Sequence, residues 1–481
     1  MTMRTYLTLA RPRALKRLAL VLVWSAPFLL SCAGKTPVPD NPPTDGCNEI
    51  GIARHDLDAE IDPDESYLRA ESHIRLCTST TSVTFFLNRK LEISSVTANG
   101  ESLSPKRSSD EEFPYVKDAV PWTVRLGEDP PTEVALDITY EGRLPGVYSG
   151  VNRISTDLVE LALYAGWYPM LKGSDAFQSR LEVALPADYD VAARGDRVAE
   201  ETADGQRRET WEATTPGDDI VVIAAPNLSI ATREVAGKKV RVYSSRLGDG
   251  KVERILDVAG RSLKFYRNKY GAAPGADSVQ IVYSPRGGWG YSRSGLIAMS
   301  EKLAQTRIGK RETFRELAHG IAHEMAHFWW DLADSSTTDD WINEALAEYS
   351  ALRVSDDLFG KRETTRWMKR YFQHLDEKSP DRPITETTSE SEFRYVNWYE
   401  RGALFFEALA RDVGRGSLHS FLRGLRDRCD GEPLTTDRLE SWMVEDFGGA
   451  IEEILSAWLH QTELPGRDAV GLNPADNSGE G

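Results

Sequence analysis

The pattern of apolar and polar positions changes period part-way along the chain. From residue 48 to about 245 the apolar residues come in short, partly alternating runs, such as SVTFFLNRKLEISSV, EVALDITYEG and RLEVALPADYDVAA. Alternation puts every second side chain on one face, which predicts half-buried strands. Turn signals separate the runs: Asn99-Gly100, Asp204-Gly205 and Gly237 within VAGKKV. This half has no helical period and no fixed repeat. From about Gly248 the spacing becomes helical. KVERILDVAGRSLKFYRNKYG places Val252, Ile255, Leu256, Val258 and Leu263 on one side. A strand, SVQIVYS, and a loop, PRGGWGYSRSG, follow. Then RETFRELAHGIAHEMAHFWW, DWINEALAEYSALRV, WYERGALFFEALARDV, LHSFLRGLRDRC and AIEEILSAWLHQ read as helices. The prediction is an α+β multidomain chain. An antiparallel β-domain spans 47–245, a mostly helical domain spans 246–466, and a polar tail spans 467–481.

The first residues break this pattern. Arg4, Arg11, Arg13, Lys16 and Arg17 precede an apolar run, Leu18 to Leu30, that is broken by Pro27. A spanning helix needs about 20 apolar residues, so this shorter run predicts a secretory signal over 1–31. It ends in Leu29-Leu30-Ser31-Cys32, which resembles the bacterial lipobox. The resemblance implies cleavage before Cys32, lipidation of its thiol and a membrane anchor facing outside the cytoplasm. Ala33 after the cysteine implies the outer membrane, if the host has one. Residues 32–46 are proline-rich and predict an extended tether.

Composition narrows the class. Of 481 residues 40% are apolar and 28% charged, which excludes a collagen-like, wholly disordered or polytopic membrane chain. The formal charge is −17, and loss of residues 1–31 removes five positive charges, giving −22. So acidic a chain is not expected to bind nucleic acid. With Cys32 lipidated, Cys47, Cys77 and Cys429 allow at most one intramolecular disulfide; Cys47–Cys77 is one option.

Three of the eight histidines, His319, His323 and His327, fall within nine residues. His323-Glu324-Met325-Ala326-His327 is an HExxH pattern. Spacing of four on a helix sets both imidazoles on one face, where they can bind a single zinc ion. Glu324 lies beside them and can take a proton from the attacking water. Phe314, Leu317, Ala318, Ile321, Met325 and Phe328 make this segment amphipathic. A third ligand is needed, and the next predicted helix offers Glu344 and Glu348, four apart and on one face. One can bind zinc while the other supports a ligand. His319 shares the face of His323 but is left out of the metal set. Two readings stay open for it: a neighbour that contacts substrate or supports the ligands, and an ordinary, partly exposed helix histidine.

This region resembles the zinc aminopeptidases of the gluzincin clan, the aminopeptidase N family. HEMAHFWW and WINEALAEY match that family's HExxH segment and the helix bearing its third ligand, so the resemblance assigns zinc to His323, His327 and Glu344. Between His327 and Glu344 lie two residues fewer than the family usually has. Tyr399-Glu400-Arg401-Gly402-Ala403 matches a downstream string whose tyrosine donates a hydrogen bond to the tetrahedral intermediate. Tyr399 takes that role, and a phenol is chemically suited to it. Tyr395 is a weaker rival. The family's exopeptidase loop departs here. Its glutamate, which binds the substrate's free amino terminus, falls at Ser292 within Gly290-Tyr291-Ser292, and Arg293 follows. These three residues are candidates for pairing with the substrate backbone as an edge strand. The resemblance implies a thermolysin-like catalytic domain, peptide or protein substrates and one zinc ion. Without the amine-binding glutamate, endopeptidase action is an alternative; so is a binding lipoprotein that keeps the fold. The family's large C-terminal helical domain has no counterpart in these residues, which implies a more open cleft.

Overall fold

The computed structural model describes residues 50–472, apart from 109–112, 114–115, 129–131, 149, 172–175, 273–277, 289, 308–310 and 430. The signal, the tether, Cys32, Cys47 and the end of the tail therefore lie outside the described residues.

The first half is built of strands. An eight-stranded sheet runs in the order Asp196–Ala203, Gln206–Gly217, Phe177–Pro186, Ile50–Asp62, Tyr67–Thr78, Glu133–Arg143, Leu91–Ala98, Glu101–Ser102. Along Tyr67–Thr78 burial alternates almost without interruption, with Leu68, Ala70, Ile74 and Leu76 inward. Two four-stranded sheets share the core with this face. The antiparallel expectation holds except at one place. Ile50–Asp62 and Phe177–Pro186 run parallel, joining strands more than a hundred residues apart.

The second half opens with a five-stranded sheet in the order Ser229–Val235, Lys238–Ser244, Ser278–Ser284, Leu296–Ser300, Gly290–Arg293. Its first two strands fall before residue 246, where the change of period set the domain boundary. They belong with the later strands because helix α1, Asp249–Tyr270, crosses over between Lys238–Ser244 and Ser278–Ser284, which pair in parallel. The helices α2 (Glu301–Arg307), α3 (Arg311–Ala326), α4 (Trp341–Phe359), α5 (Arg362–Lys378), α6 (Gly402–Asp412), α7 (Arg415–Cys429), α8 (Thr436–Phe447) and α9 (Glu452–Leu455) follow. They enclose one apolar core with α1. Helices α2, α5 and α8 are not among those expected from the sequence. In α5 the buried Trp367, Met368, Tyr371, Phe372 and Leu375 do recur with helical spacing, but among many charges.

GYSR, read within a loop, is the strand Gly290–Arg293 of a hairpin. The polar tail starts in ordered structure: Arg467–Val470 form a helical turn, and Val470 and Leu472 are buried. Cys77 and Cys429 are both disulfide-bonded. Among the described residues no helix is long and apolar enough to cross a membrane.

Candidate metal centre

Helix α3 buries Leu317, Ala318, Ile321, Ala322 and Met325, and this packing orients the polar residues between them. Tyr266 of α1 donates to the Ala322 carbonyl oxygen at 2.8 Å and ties the helix down. The histidine face of α3 meets α4. There Glu344 Oε2 lies 3.4 Å from His323 Nε2 and 3.5 Å from His327 Nε2. The donor atoms of the three residues all lie within 4.8 Å of one another, and all three are buried. Two imidazoles and a carboxylate converging in this way match the donor set of a tetrahedral zinc site with one position left over. The other nitrogens are engaged: His323 Nδ1 lies 2.7 Å from Glu348 Oε2, and His327 Nδ1 lies 3.2 Å from the Trp330 carbonyl oxygen. Such partners fix which nitrogen faces a metal. The residues present therefore fit one zinc ion.

The loop from α3 to α4 is held by Asn343. Its Oδ1 accepts from the backbone N–H groups of Leu332 and Ala333, at 2.8 and 3.1 Å. Its amide donates to the Ala333 carbonyl and to Asp340 Oδ1. One buried side chain thus couples loop and ligand helix. Trp329 and Trp330 are both buried in the same core.

Arg394, which the sequence reading missed, divides the two oxygens of Glu344. Its guanidinium lies 3.3 Å from Glu344 Oε1 and 3.4 Å from Asp340 Oδ2, leaving Oε2 toward the histidines. Burial pushes the Glu344 carboxyl up, but His323, His327 and Arg394 hold it well below the usual range. Burial and the nearby Glu344 charge push Asp340 up to about 7, against the pull of Arg394. Burial also raises the Glu324 carboxyl, with His323 and His327 opposing.

Tyr399 lies beside the metal ligands. Its ring stacks on the His323 imidazole at 5.5 Å between centroids and 14° between planes. Tyr395 is one ring further away, 5.1 Å from Tyr399. Tyr395–Arg401 forms a wide helical turn that leads into α6. Gly402 then lets α6 approach α4, since a Cβ there would stand 2.5 Å from the Ala345 Cβ. Arg401 reaches back to backbone carbonyls at Trp458, Gln461 and Thr462 and anchors the last helical segment.

Gly290, Tyr291 and Ser292 form the outermost strand of the five-stranded sheet and run beside α3. Ser292 pairs with Ile297, and Gly290 has no room for a side chain, because a Cβ would meet the Ala298 carbonyl oxygen at 2.4 Å. Arg293 is buried and paired. Its Nε lies 3.0 Å from Asp219 Oδ2, and it also donates to the Tyr164 hydroxyl. Arg286 makes a second buried pair, 3.1 Å from Glu160. The Tyr291 ring lies between the two guanidinium groups, at 5.0 and 5.2 Å. No local signal could pair these residues, because both acids come from the β-domain.

The Peptidase family M1 domain model matches residues 255–458. Over those residues, the helical half of this chain is similar to that domain. Among solved structures, the M1 zinc metallopeptidase from Deinococcus radiodurans is 19% identical with a TM-score of 0.69, covering 88% of this chain and 96% of its own. Another structure of that protein, a mutant bound to a Tyr-Ser-Ala substrate, superposes with a TM-score of 0.68 at 18% identity over the same shares. At these identities the likeness concerns the fold: a β-domain followed by a helical domain. Among curated sequences, Aminopeptidase 2 of Candida albicans is 21% identical over 60% of this chain and 33% of its own length. Tricorn protease-interacting factor F2 of Thermoplasma volcanium is 23% identical over 59% and 38%. The chain thus spans little more than a third of these two relatives. The three clustered donors all lie inside the M1 segment, as do Glu324 and Tyr399.

Proposed function

We propose that this protein is a zinc metallopeptidase that hydrolyses peptide bonds. The convergence of His323, His327 and Glu344, with Glu324 between the two histidines in sequence, carries the reading. Zinc, when bound, supplies Lewis-acid polarisation of the scissile carbonyl and acidifies a water. Glu324 takes the proton of the attacking water and returns it to the leaving amine. Tyr399 donates a hydrogen bond to the developing oxyanion. The edge strand Gly290–Arg293 lies at the outer side of its sheet, where an extended peptide can add to it. A peptide-library digest with and without a chelator tests this. Hydrolysis that survives removal of the metal, or no hydrolysis with zinc bound, sinks the reading.

A second reading concerns the end of the cleft where an amino terminus would sit. Ser292 replaces a glutamate there, and two of the nearby acids, Glu160 and Asp219, are already paired with Arg286 and Arg293, whereas the Asp218 oxygens are buried without a hydrogen-bond partner. Asp219 also accepts from the Leu163 N–H and the Tyr168 hydroxyl. To pair with Glu160 or Asp219, a substrate ammonium would have to displace a buried guanidinium, which favours peptides that extend past the scissile bond on the amino side. An internally quenched peptide with a blocked amino terminus separates the two activities. Cleavage of aminoacyl fluorophores in preference to that peptide counts against endopeptidase action.

The N-terminal basic and apolar runs and the Leu29-Leu30-Ser31-Cys32 string support an envelope location with a lipid anchor at Cys32. Cysteine arithmetic makes this testable. An acylated Cys32 leaves one disulfide among the other three cysteines, whereas two disulfides would consume Cys32. The intact mass of protein from the native host, with and without reduction, distinguishes the two states.

A further inference from the structure

The two zinc-ligand histidines have partners of different kinds. His327 Nδ1 faces the Trp330 backbone carbonyl. His323 leans on Glu348, and Glu348 is itself held from three sides. Its Oε2 faces His323 Nδ1 at 2.7 Å. Its Oε1 faces His319 Nε2 at 2.9 Å and accepts from the Tyr371 hydroxyl of α5. His319 in turn has its Nδ1 3.1 Å from the Ser355 hydroxyl, and its ring stacks on Trp367 at 4.1 Å. His319 is only 5% exposed, so it is not a partly exposed helix residue.

A carboxylate facing a ligand imidazole can point its lone pairs in several directions. Here each oxygen has its own partner, so rotation of the carboxylate would break one contact to keep the other. The side chain that orients His323 is therefore immobilised by residues from α3, α4 and α5 together. We infer that His319 and Tyr371 are positioning residues for zinc, acting through Glu348 on His323. None of the three touches the metal. Their role is to hold the His323 ring with its Nε2 toward Glu344. This inference rests on His323 being a zinc ligand, as proposed above.

The test measures zinc affinity by competition with a chromophoric chelator, using the whole chain and independent of any peptidase assay. Glu348→Gln is expected to weaken zinc binding by about 10- to 100-fold, and His319→Gln and Tyr371→Phe by less. If His319 acts through Glu348, the double variant Glu348→Gln with His319→Gln binds zinc no more weakly than Glu348→Gln alone. Cobalt-substituted protein adds a spectroscopic reading, since a reoriented His323 shifts the visible ligand-field bands. Thermal melts of the metal-free forms identify variants that have lost the fold, and the smaller change Tyr371→Phe then carries the comparison. Wild-type zinc affinity and an unchanged cobalt spectrum in folded Glu348→Gln overturn the inference, as do fully additive losses in the double variant. A wild-type chain that binds no zinc removes the proposed function itself.

Discussion

The metal centre and the edge strand beside α3 are built from charge in opposite ways. At the metal end, His323, His327 and Glu344 bring their donor atoms together from α3, the turn that ends it, and α4. Glu348 stands behind His323 rather than at that point. At the strand end, the charges cancel in pairs: Arg286 with Glu160, and Arg293 with Asp219. Each of those pairs joins the helical half to the β-domain. One end gathers donors of the kind that hold a cation, and the other pairs opposite charges that fasten an edge strand. The difference teaches that a buried charge near an active centre is not by itself a binding group. What matters is whether its partner is already present.

The sharpest way to break this comparison is at the metal end. Glu324→Gln should keep zinc, measured by metal analysis, and lose roughly 10²- to 10⁴-fold in kcat. Near-wild-type turnover by this variant would remove the mechanism. At the strand end, Arg293→Met leaves Asp219 buried without its cation and should cost about 3–5 kcal/mol in denaturant unfolding. Burial already pushes Asp219 up to about 6, against the pull of Arg293. The variant should therefore recover part of its loss near pH 5, where Asp219 takes up a proton. A loss that does not depend on pH would mean that the pair does not hold the strand electrostatically.

Glu400, beside Tyr399, gives a contribution with a definite sign. Burial pushes its carboxyl from 4.5 to about 7, with His374 and Arg370 opposing and Glu348 adding to the rise. An acid whose pKa is raised in the fold binds its proton more tightly there than in the unfolded chain. Its contribution is full below about pH 4.5 and is lost as pH rises through 7, on the order of 3 kcal/mol in all. Glu400→Gln should flatten the fall in melting temperature over that window, and an unchanged slope would refute this. The smallest expected effect is at Gly402. An alanine there forces α6 away from Ala345 and should cost about 1–3 kcal/mol. A drop in kcat at unchanged zinc content would show that this helix contact also places Tyr399.

Much of the metal end was legible because its geometry is local. The HExxH spacing orients two imidazoles on one helix whatever the surroundings. What stayed hidden there was the choice between Glu344 and Glu348, which helix spacing alone leaves open. It depends on the angle between α3 and α4 and on Arg394, fifty residues downstream. The role of His319 stayed open for the same reason, since its carboxylate partner comes from α4 and its stacking surface from α5. The strand Gly290–Arg293 looked like a loop because a short, glycine-rich segment becomes a strand only beside Leu296–Ser300.

By itself, the sequence determined the change from strand to helix, the amphipathic face of α3, the candidate zinc donors and the absence of a glutamate at Ser292. All of these follow from spacings of a few residues, over which backbone geometry is nearly fixed. Tertiary structure alone decided that the sheet of the second half begins at Ser229 rather than after residue 245. It also decided that Arg286 and Arg293 are neutralised, and that Glu348 belongs to His319 and His323 rather than to solvent. Those outcomes turn on which distant segments are brought into contact, and the energy of a buried charge is set by that contact rather than by the residue that carries it.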